Sequence, residues 1–265
     1  MSLTNKVIFI DLDGTLLNSD KKISEKNINY LSFIGNKYNA KIVLTTGRHF
    51  HQIEEYISVL NLRNKENYVI TADGQYLYSV NGDLIWSADF LSMKDVKFIM
   101  KSYKEINIYT DKFDIFITKD LYNLLKSKLI SLVHSHNNRK KYTVYYSNMN
   151  RLEKNLKIEK LCVSNFIKEE YMCTKYHIVK NQNSIYIMHK NTNKYNAIRK
   201  YSDIFNINKE DIIFLGDDYN DYECFHNLEN TVAMGNSIEE IKNIAKYITK
   251  SNNDDGVYWG LKMFE

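Results

Sequence analysis

Apolar and polar positions along this chain fall into blocks of two kinds. Short unbroken apolar runs recur in the first third: Val7-Ile8-Phe9-Ile10, Lys41-Ile42-Val43-Leu44-Thr45 and Tyr68-Val69-Ile70-Thr71. Between them, apolar residues sit three and four apart: Ile28, Leu31 and Ile34, then Ile53, Tyr56, Ile57 and Leu60. The unbroken runs predict strands buried on both faces, and the wider spacing predicts amphipathic helices. Ser24 stands where the first of these helices needs an N-cap. Strands alternating with helices predict an α/β fold built on a doubly wound, Rossmann-like parallel sheet.

The pattern then changes. Tyr76–Val80 and Asp83–Trp86 flank Asn81-Gly82, which predicts a β-hairpin with a type I′ turn. From about 90 to 183 the order of elements differs. Ser92 with Asp95 starts a helix by capping-box logic. Ile106–Tyr109 and Phe113–Thr118 read as strands, and Leu121, Leu124, Leu125, Leu129 and Leu132 as one helix face. Leu156–Val163 and Ile185–Met188 are strand-like. Alternation returns with a helix over Lys194–Phe205, a strand over Ile212–Leu215, a strand over Thr231–Met234 and a helix over Ile238–Ala245. The simplest account is a discontinuous α/β core, 1–84 plus 184–265, with an α/β domain over 85–183 inserted into it.

Composition narrows the function classes. The 265 residues are 44% hydrophobic and 26% charged, ordinary for a soluble globular protein. No apolar run approaches the length of a membrane span, and the N-terminus lacks the apolar segment of a signal peptide. The net charge of +4 is small for a nucleic-acid binder, and the best basic run, Arg139-Lys140-Lys141, reads as a solvated loop. Cys162, Cys173 and Cys224 have neither metal-type nor disulfide-type spacing, so thiols in a reducing cytoplasm are expected. Proline is absent, so no X-Pro isomerisation limits folding.

Chemistry gathers where the core strands end. The first run leads into Asp11-Leu12-Asp13-Gly14-Thr15, the second into Thr45-Thr46-Gly47-Arg48, and the strand at Leu215 into Gly216-Asp217-Asp218-Tyr219-Asn220-Asp221. Lys194 opens a helix. Open α/β sheets keep ligands outside the carboxyl ends of their strands. Two carboxylates at i and i+2 in such a place repel each other and lose hydration. They are tolerable if a cation lies between them or if one stays protonated, and both conditions suit metal-assisted phosphoryl transfer.

These four segments resemble the four motifs of the haloacid dehalogenase-like (HAD) hydrolase superfamily, most closely its Cof-type phosphatases with an inserted C2-type α/β cap. Val232–Ser237 and Asp255-Gly256-Val257 are similar to that subgroup as well. The resemblance implies a phosphatase of small phosphorylated metabolites such as sugar phosphates, dependent on Mg²⁺. It implies Asp11 as nucleophile and Asp13 as general acid and base, with the Asp13 pKa above that of a metal-held Asp11. Asp11, Asp217 and the Asp13 backbone carbonyl are the implied metal ligands, supported by Asp221. Thr46, Gly47 and Lys194 would hold the phosphoryl oxygens. Asp218, Asn220 and Arg48 are supporting residues, Arg48 being equally readable as a structural ion pair. Specificity would reside in the cap.

Two departures from the subgroup stand out: Asp73-Gly74-Gln75 where Asn-Gly-Ala is usual, and Tyr195 where the residue after the lysine is usually glycine. A phosphomutase on the same core and a non-catalytic binding protein are the alternative readings; Asp11 and Asp13 are the residues a retired member would lack. His134-Ser135-His136 reads as a solvated loop, and Gly-x-Ser-x-Gly and Walker-type patterns are absent. Oligomeric state is not legible.

Overall fold

The computed structural model describes residues 2–64, 67–137, 141–146, 156–164, 175–181 and 184–265. The chain divides into two compact units, Met1–Ala88 with Thr192–Glu265, and Asp89–Asn191.

The first unit is built on an eight-stranded sheet. In chain order its strands are β1 (Val7–Ile10), β2 (Lys41–Thr45), β3 (Tyr68–Thr71), β4 (Tyr76–Ser79), β5 (Leu84–Ser87), β12 (Ile212–Gly216), β13 (Thr231–Ala233) and β14 (Tyr247–Ile248). In space they run β14-β13-β12-β1-β2-β3-β4-β5. β1 lies centrally, parallel to β2 on one side and β12 on the other; β4 pairs antiparallel with both β3 and β5, and the remaining pairs are parallel.

Successive side chains of a strand point to opposite faces, so β1 divides its residues between two cores. Ile8 and Ile10 join Leu31 and Ile34 of α1 (Glu25–Lys37), Tyr56 and Ile57 of α2 (Glu54–Val59) and Val257 and Leu261 of α8 (Gly256–Lys262). Val7 and Phe9 join Ala197, Ile198 and Tyr201 of α5 (Lys194–Phe205), Phe225 of α6 (Tyr222–Asn227) and Ile241 of α7 (Glu239–Ile244). Helices on both faces of a parallel sheet are the doubly wound arrangement. All four residues of β1 are fully buried, which is why it reads as an unbroken apolar run.

Register sets the site. Ile10 stands opposite Leu44 of β2 and Leu215 of β12. The residues after these strands therefore emerge side by side at one sheet edge.

The second unit carries a six-stranded sheet in the order β10-β11-β9-β6-β7-β8. Its strands are β6 (Glu105–Thr110), β7 (Phe113–Thr118), β8 (Lys141–Tyr146), β9 (Ile158–Ser164), β10 (Tyr176–Asn181) and β11 (Ser184–His189). α3 (Met93–Ile99) packs Val96 and Ile99 into a core with Ile106, Ile108, Ile115 and Leu161, and α4 (Leu121–Asn137) follows β7. The capping box at Ser92 and Asp95 forms, and Tyr176 donates to Asp95 at 2.8 Å.

Three expectations change. The chain returns to the first unit at Thr192 and not at 184, because β11 pairs with β10 and β9 in the second sheet. The hairpin turn is not type I′: Gly82 has φ of 96° while Asn81 is not left-handed, and Ser79 N donates to Asp83 O at 2.9 Å, which makes a three-residue loop. Lys141 begins β8; Arg139, Lys140 and Cys173 lie outside the described residues, as do the side chains of His134 and His136. Among the described residues no helix is long and apolar enough to cross a membrane.

Candidate active site at the carboxyl edge of the first sheet

Asp11 leaves β1 with its backbone N–H donating to Leu215 O at 3.0 Å, and its side chain is buried. Lys194 enters at the first turn of α5, whose N-cap Asn193 accepts from Asn196 N. The Lys194 ammonium is fully enclosed. It donates to Asp11 Oδ1 and to Asp221 Oδ1, each at 2.6 Å. Asp221 Oδ2 in turn accepts from Asp217 N at 2.9 Å, so this carboxylate also shapes the loop after β12. Asp217 accepts from Thr15 Oγ1 at 3.1 Å. Oxygens of Asp11, Asp217 and Asp221 all lie within 4.8 Å of one another, a cluster of hard donors able to hold a metal ion.

Glycine is required in the first loop by close approach. Gly14 has φ of +81°, and a Cβ on it would stand 2.1 Å from Asp217 Oδ2. Asn236, within the Val232–Ser237 segment, donates from Nδ2 to Gly14 O at 2.8 Å and holds that loop from the other side.

The second motif forms a turn beside this cluster. Thr46 N donates to Ile70 O at 2.9 Å, and Thr46 Oγ1 accepts from Arg48 N at 3.2 Å. Arg48 reaches back to Asp13 as a fork, Nε to Oδ2 and Nη2 to Oδ1, both at 2.7 Å. Lys21 adds a bond to Asp13 Oδ1 at 2.8 Å.

A model of the haloacid dehalogenase-like hydrolase family matches residues 8–261, which takes in all four motifs. The chain belongs to that family. This hydrolase is 26% identical to the candidate phosphatase YxeH of Bacillus subtilis, with 95% of each chain covered. It is likewise 26% identical to the 5-amino-6-(5-phospho-D-ribitylamino)uracil phosphatase YitU of Bacillus subtilis, with 97% of each covered. The HAD subclass IIB sugar phosphatase BT4131 shares its fold, with a TM-score of 0.73 at 22% identity over 98% of each chain. Within the family the protein is a phosphatase-type enzyme.

The electrostatics of the metal-free hydrolase set its carboxyl groups apart. Burial, with Asp221 and Asp217 close by, raises the Asp11 carboxyl well above the usual carboxylate range, although Lys194 opposes this. Burial and the Asp221 charge push Asp217 up to about 7. Asp13 is held down at about 2, because its bonds to Arg48 and Lys21 outweigh its partial burial. Without a metal, then, Asp13 has the lower pKa of the pair. Lys194, despite full burial, is raised well above its ordinary value by Asp11, Asp221 and Asp73.

Asp11, Lys194, Asp217 and Asp221 form one cluster, and Asp13 with Arg48 forms a neighbouring pair. Asp218 is exposed; it accepts from Tyr219 N at 2.7 Å and caps the turn that carries Asp221. Asn220 donates to Asp73 Oδ1 at 3.1 Å. Sequence reasoning missed Lys21. It sits in a polar loop, Asn18-Ser19-Asp20-Lys21-Lys22, with no local signal to separate it from its neighbours.

Proposed function

We propose that this hydrolase is a Mg²⁺-dependent phosphatase of small phosphorylated metabolites, sugar phosphates among them, that works through an aspartyl-phosphate. The observation that carries the reading is Lys194 held between Asp11 and Asp221 with Asp217 and the Thr46-Gly47 turn alongside. The names of YitU and BT4131, each a phosphatase of a small phosphorylated compound, support the substrate class.

Hard oxygen donors, crowded until two of their pKa values rise, suit Mg²⁺, and the missing Cβ of Gly14 leaves room for Asp217 to serve it. Asp11, Asp217 and the Asp13 backbone carbonyl would hold the ion, with Asp221 steadying the loop behind them. When bound, it supplies positive charge that keeps Asp11 ionised and offsets the charge of the phosphate dianion.

Asp11 attacks phosphorus in line with the ester oxygen, forming an Asp11–phosphorus bond as the ester bond breaks. Thr46, Gly47 and Lys194 hold the phosphoryl oxygens, so the site meets the transition state already organised. Asp13 gives its proton to the leaving oxygen. It then takes a proton from the water that attacks phosphorus, and Asp11 is released as a carboxylate. To carry that proton Asp13 must part from Arg48 and Lys21. An arriving phosphate dianion offers both cations a stronger anion, and their departure removes what holds the Asp13 carboxyl down.

The inserted second unit is the proposed carrier of leaving-group specificity. Its place in the chain, between β5 and α5, supports that reading.

The test is phosphate release from a panel of phosphorylated metabolites by the purified protein with Mg²⁺. Turnover that is lost in chelator and regained with Mg²⁺ is the expected result. No release from any ester, or turnover only with a bisphosphate activator and no free phosphate, would sink the proposal.

A further inference from the structure

The turn after β3 is held in an unusual conformation. Ala72, Asp73 and Gly74 have φ of 50°, 56° and 92°, three left-handed residues in a row. Residues other than glycine enter that region at a cost and stay there only where the surroundings overdetermine them. Here they do. Ala72 N donates to Arg48 O at 2.9 Å and Asp73 N to Thr46 O at 3.1 Å, which straps the turn to the second motif. A Cβ on Gly74 would stand 2.2 Å from Asn193 O, so the turn also lies against the start of α5.

This backbone delivers the Asp73 carboxylate to the Thr46-Gly47 turn. Its Oδ1 lies 2.7 Å from where a Cβ on Gly47 would stand, and it accepts from Asn220 Nδ2 at 3.1 Å. Asp73 also contributes to the field around Lys194. Asp73 is not one of the clustered carboxylates Asp11, Asp217 and Asp221. A carboxylate beside a turn that receives a phosphate dianion works against that dianion. Besides accepting from Asn220 and balancing Lys194, the Asp73 carboxylate acts through its charge on whatever part of a substrate lies next to the phosphate.

We propose that Asp73 is a specificity-determining residue whose carboxylate favours phosphate monoesters with hydroxyl or ammonium donors close to the phosphate and rejects those with a second anion there. The inference rests on the phosphatase reading above. An ionised carboxylate accepts hydrogen bonds and donates none, so a neighbouring hydroxyl or ammonium satisfies it. A second carboxylate meets like charge where water is too scarce to screen it well.

Three esters of similar size separate the effects: glycerol 3-phosphate, 3-phosphoglycerate and propyl phosphate. Each is measured as kcat/KM on the wild type, Asp73→Asn and Asp73→Gly, and as calorimetric binding on the same three chains carrying Asp11→Asn to prevent turnover. Asparagine keeps the shape and accepts left-handed backbone, and glycine removes the side chain without adding strain. The wild type should prefer glycerol 3-phosphate. Both Asp73 variants should raise the 3-phosphoglycerate to glycerol 3-phosphate ratio about tenfold in kcat/KM and in affinity, with no matching rise for propyl phosphate. Parallel changes for all three esters would overturn the proposal, since the charge would then act on the shared phosphate alone. A ratio change confined to Asp73→Gly would overturn it too, because shape and not charge would be responsible. If the wild type releases phosphate from none of the three, the wider metabolite panel decides the hydrolytic reading, and the affinity ratios decide this inference by themselves.

Discussion

The ammonium of Lys194 lies 2.6 Å from Asp11 Oδ1, with both side chains shut away from solvent. The same ammonium lies 2.6 Å from Asp221 Oδ1. One cation thus serves two buried carboxylates, and neither has bulk water to fall back on. Breaking a buried pair by removing one partner costs far more than the pair's net contribution, because the remaining charge stays buried.

Lys194→Met is expected to lose turnover and to destabilise the protein by about 3 kcal/mol at pH 8. The loss should shrink at pH 5, where the orphaned Asp11 carboxyl, already raised by burial, takes up a proton. Urea unfolding at the two pH values checks this. Equal stability of variant and wild type at pH 8 would mean that the ammonium does not compensate these carboxylates.

Asp11→Asn is expected to fold with unchanged or slightly higher stability, since it removes a carboxylate that its surroundings already disfavour. Turnover should fall on the order of 10⁴-fold or more, the scale seen when a nucleophile is removed. Near-normal phosphate release by this variant would show that Asp11 is not the nucleophile.

The metal-free protein should lose stability as the pH rises from about 4 to about 7 through Asp217 alone. Its folded pKa is about 7 against an ordinary 3.8, so between these values the folded state holds the proton and the unfolded state does not. Folding then binds a proton, and raising the pH opposes it. Mg²⁺ should reverse the trend by favouring the ionised form, and its binding near pH 6 should release protons into buffer. Thermal unfolding with and without Mg²⁺, and calorimetry in two buffers of different ionisation enthalpy, measure both effects. A metal-free melting temperature that climbs between pH 5 and pH 7 would contradict the assignment.

Gly14→Ala places a Cβ 2.1 Å from Asp217 Oδ2 and forces a left-handed backbone on alanine. Divalent-cation affinity should drop about ten- to hundredfold, as when the support of a metal ligand is lost. Gly82→Ala is the control. Its φ is +96°, but its nearest neighbours would lie 3.5 Å away on Phe50, so it should cost about 1 kcal/mol of stability and leave cation affinity alone.

Much of the core was legible because its signals are local. The bounds of α5 follow from Asn193 as N-cap and from apolar spacing through Phe205. The inserted unit was harder to read. β8 and β10 carry no such local signal, since Lys141–Tyr146 and Tyr176–Asn181 lack the unbroken apolar character of β1, and partner strands define them more than composition does. The end of the insertion is set by pairing: Ile185–Met188 is strand-like by composition, and only its register with β10 and β9 assigns it to the second sheet.

The site divides in the same way. Asp11, Asp13, Thr46, Lys194 and Asp217 could be named from the chain alone, because each follows an apolar run or opens a helix, and strand ends in a parallel sheet converge. Their charge states could not be named that way. That Asp13 lies in the fork of Arg48 while Asp11 shares Lys194 with Asp221 depends on groups 35, 183 and 27 residues apart in the chain. Desolvation and Coulomb interactions act through space, so only the packed structure decided which carboxylate is held up and which is held down. It also decided that a left-handed turn brings Asp73 to the edge of the same site.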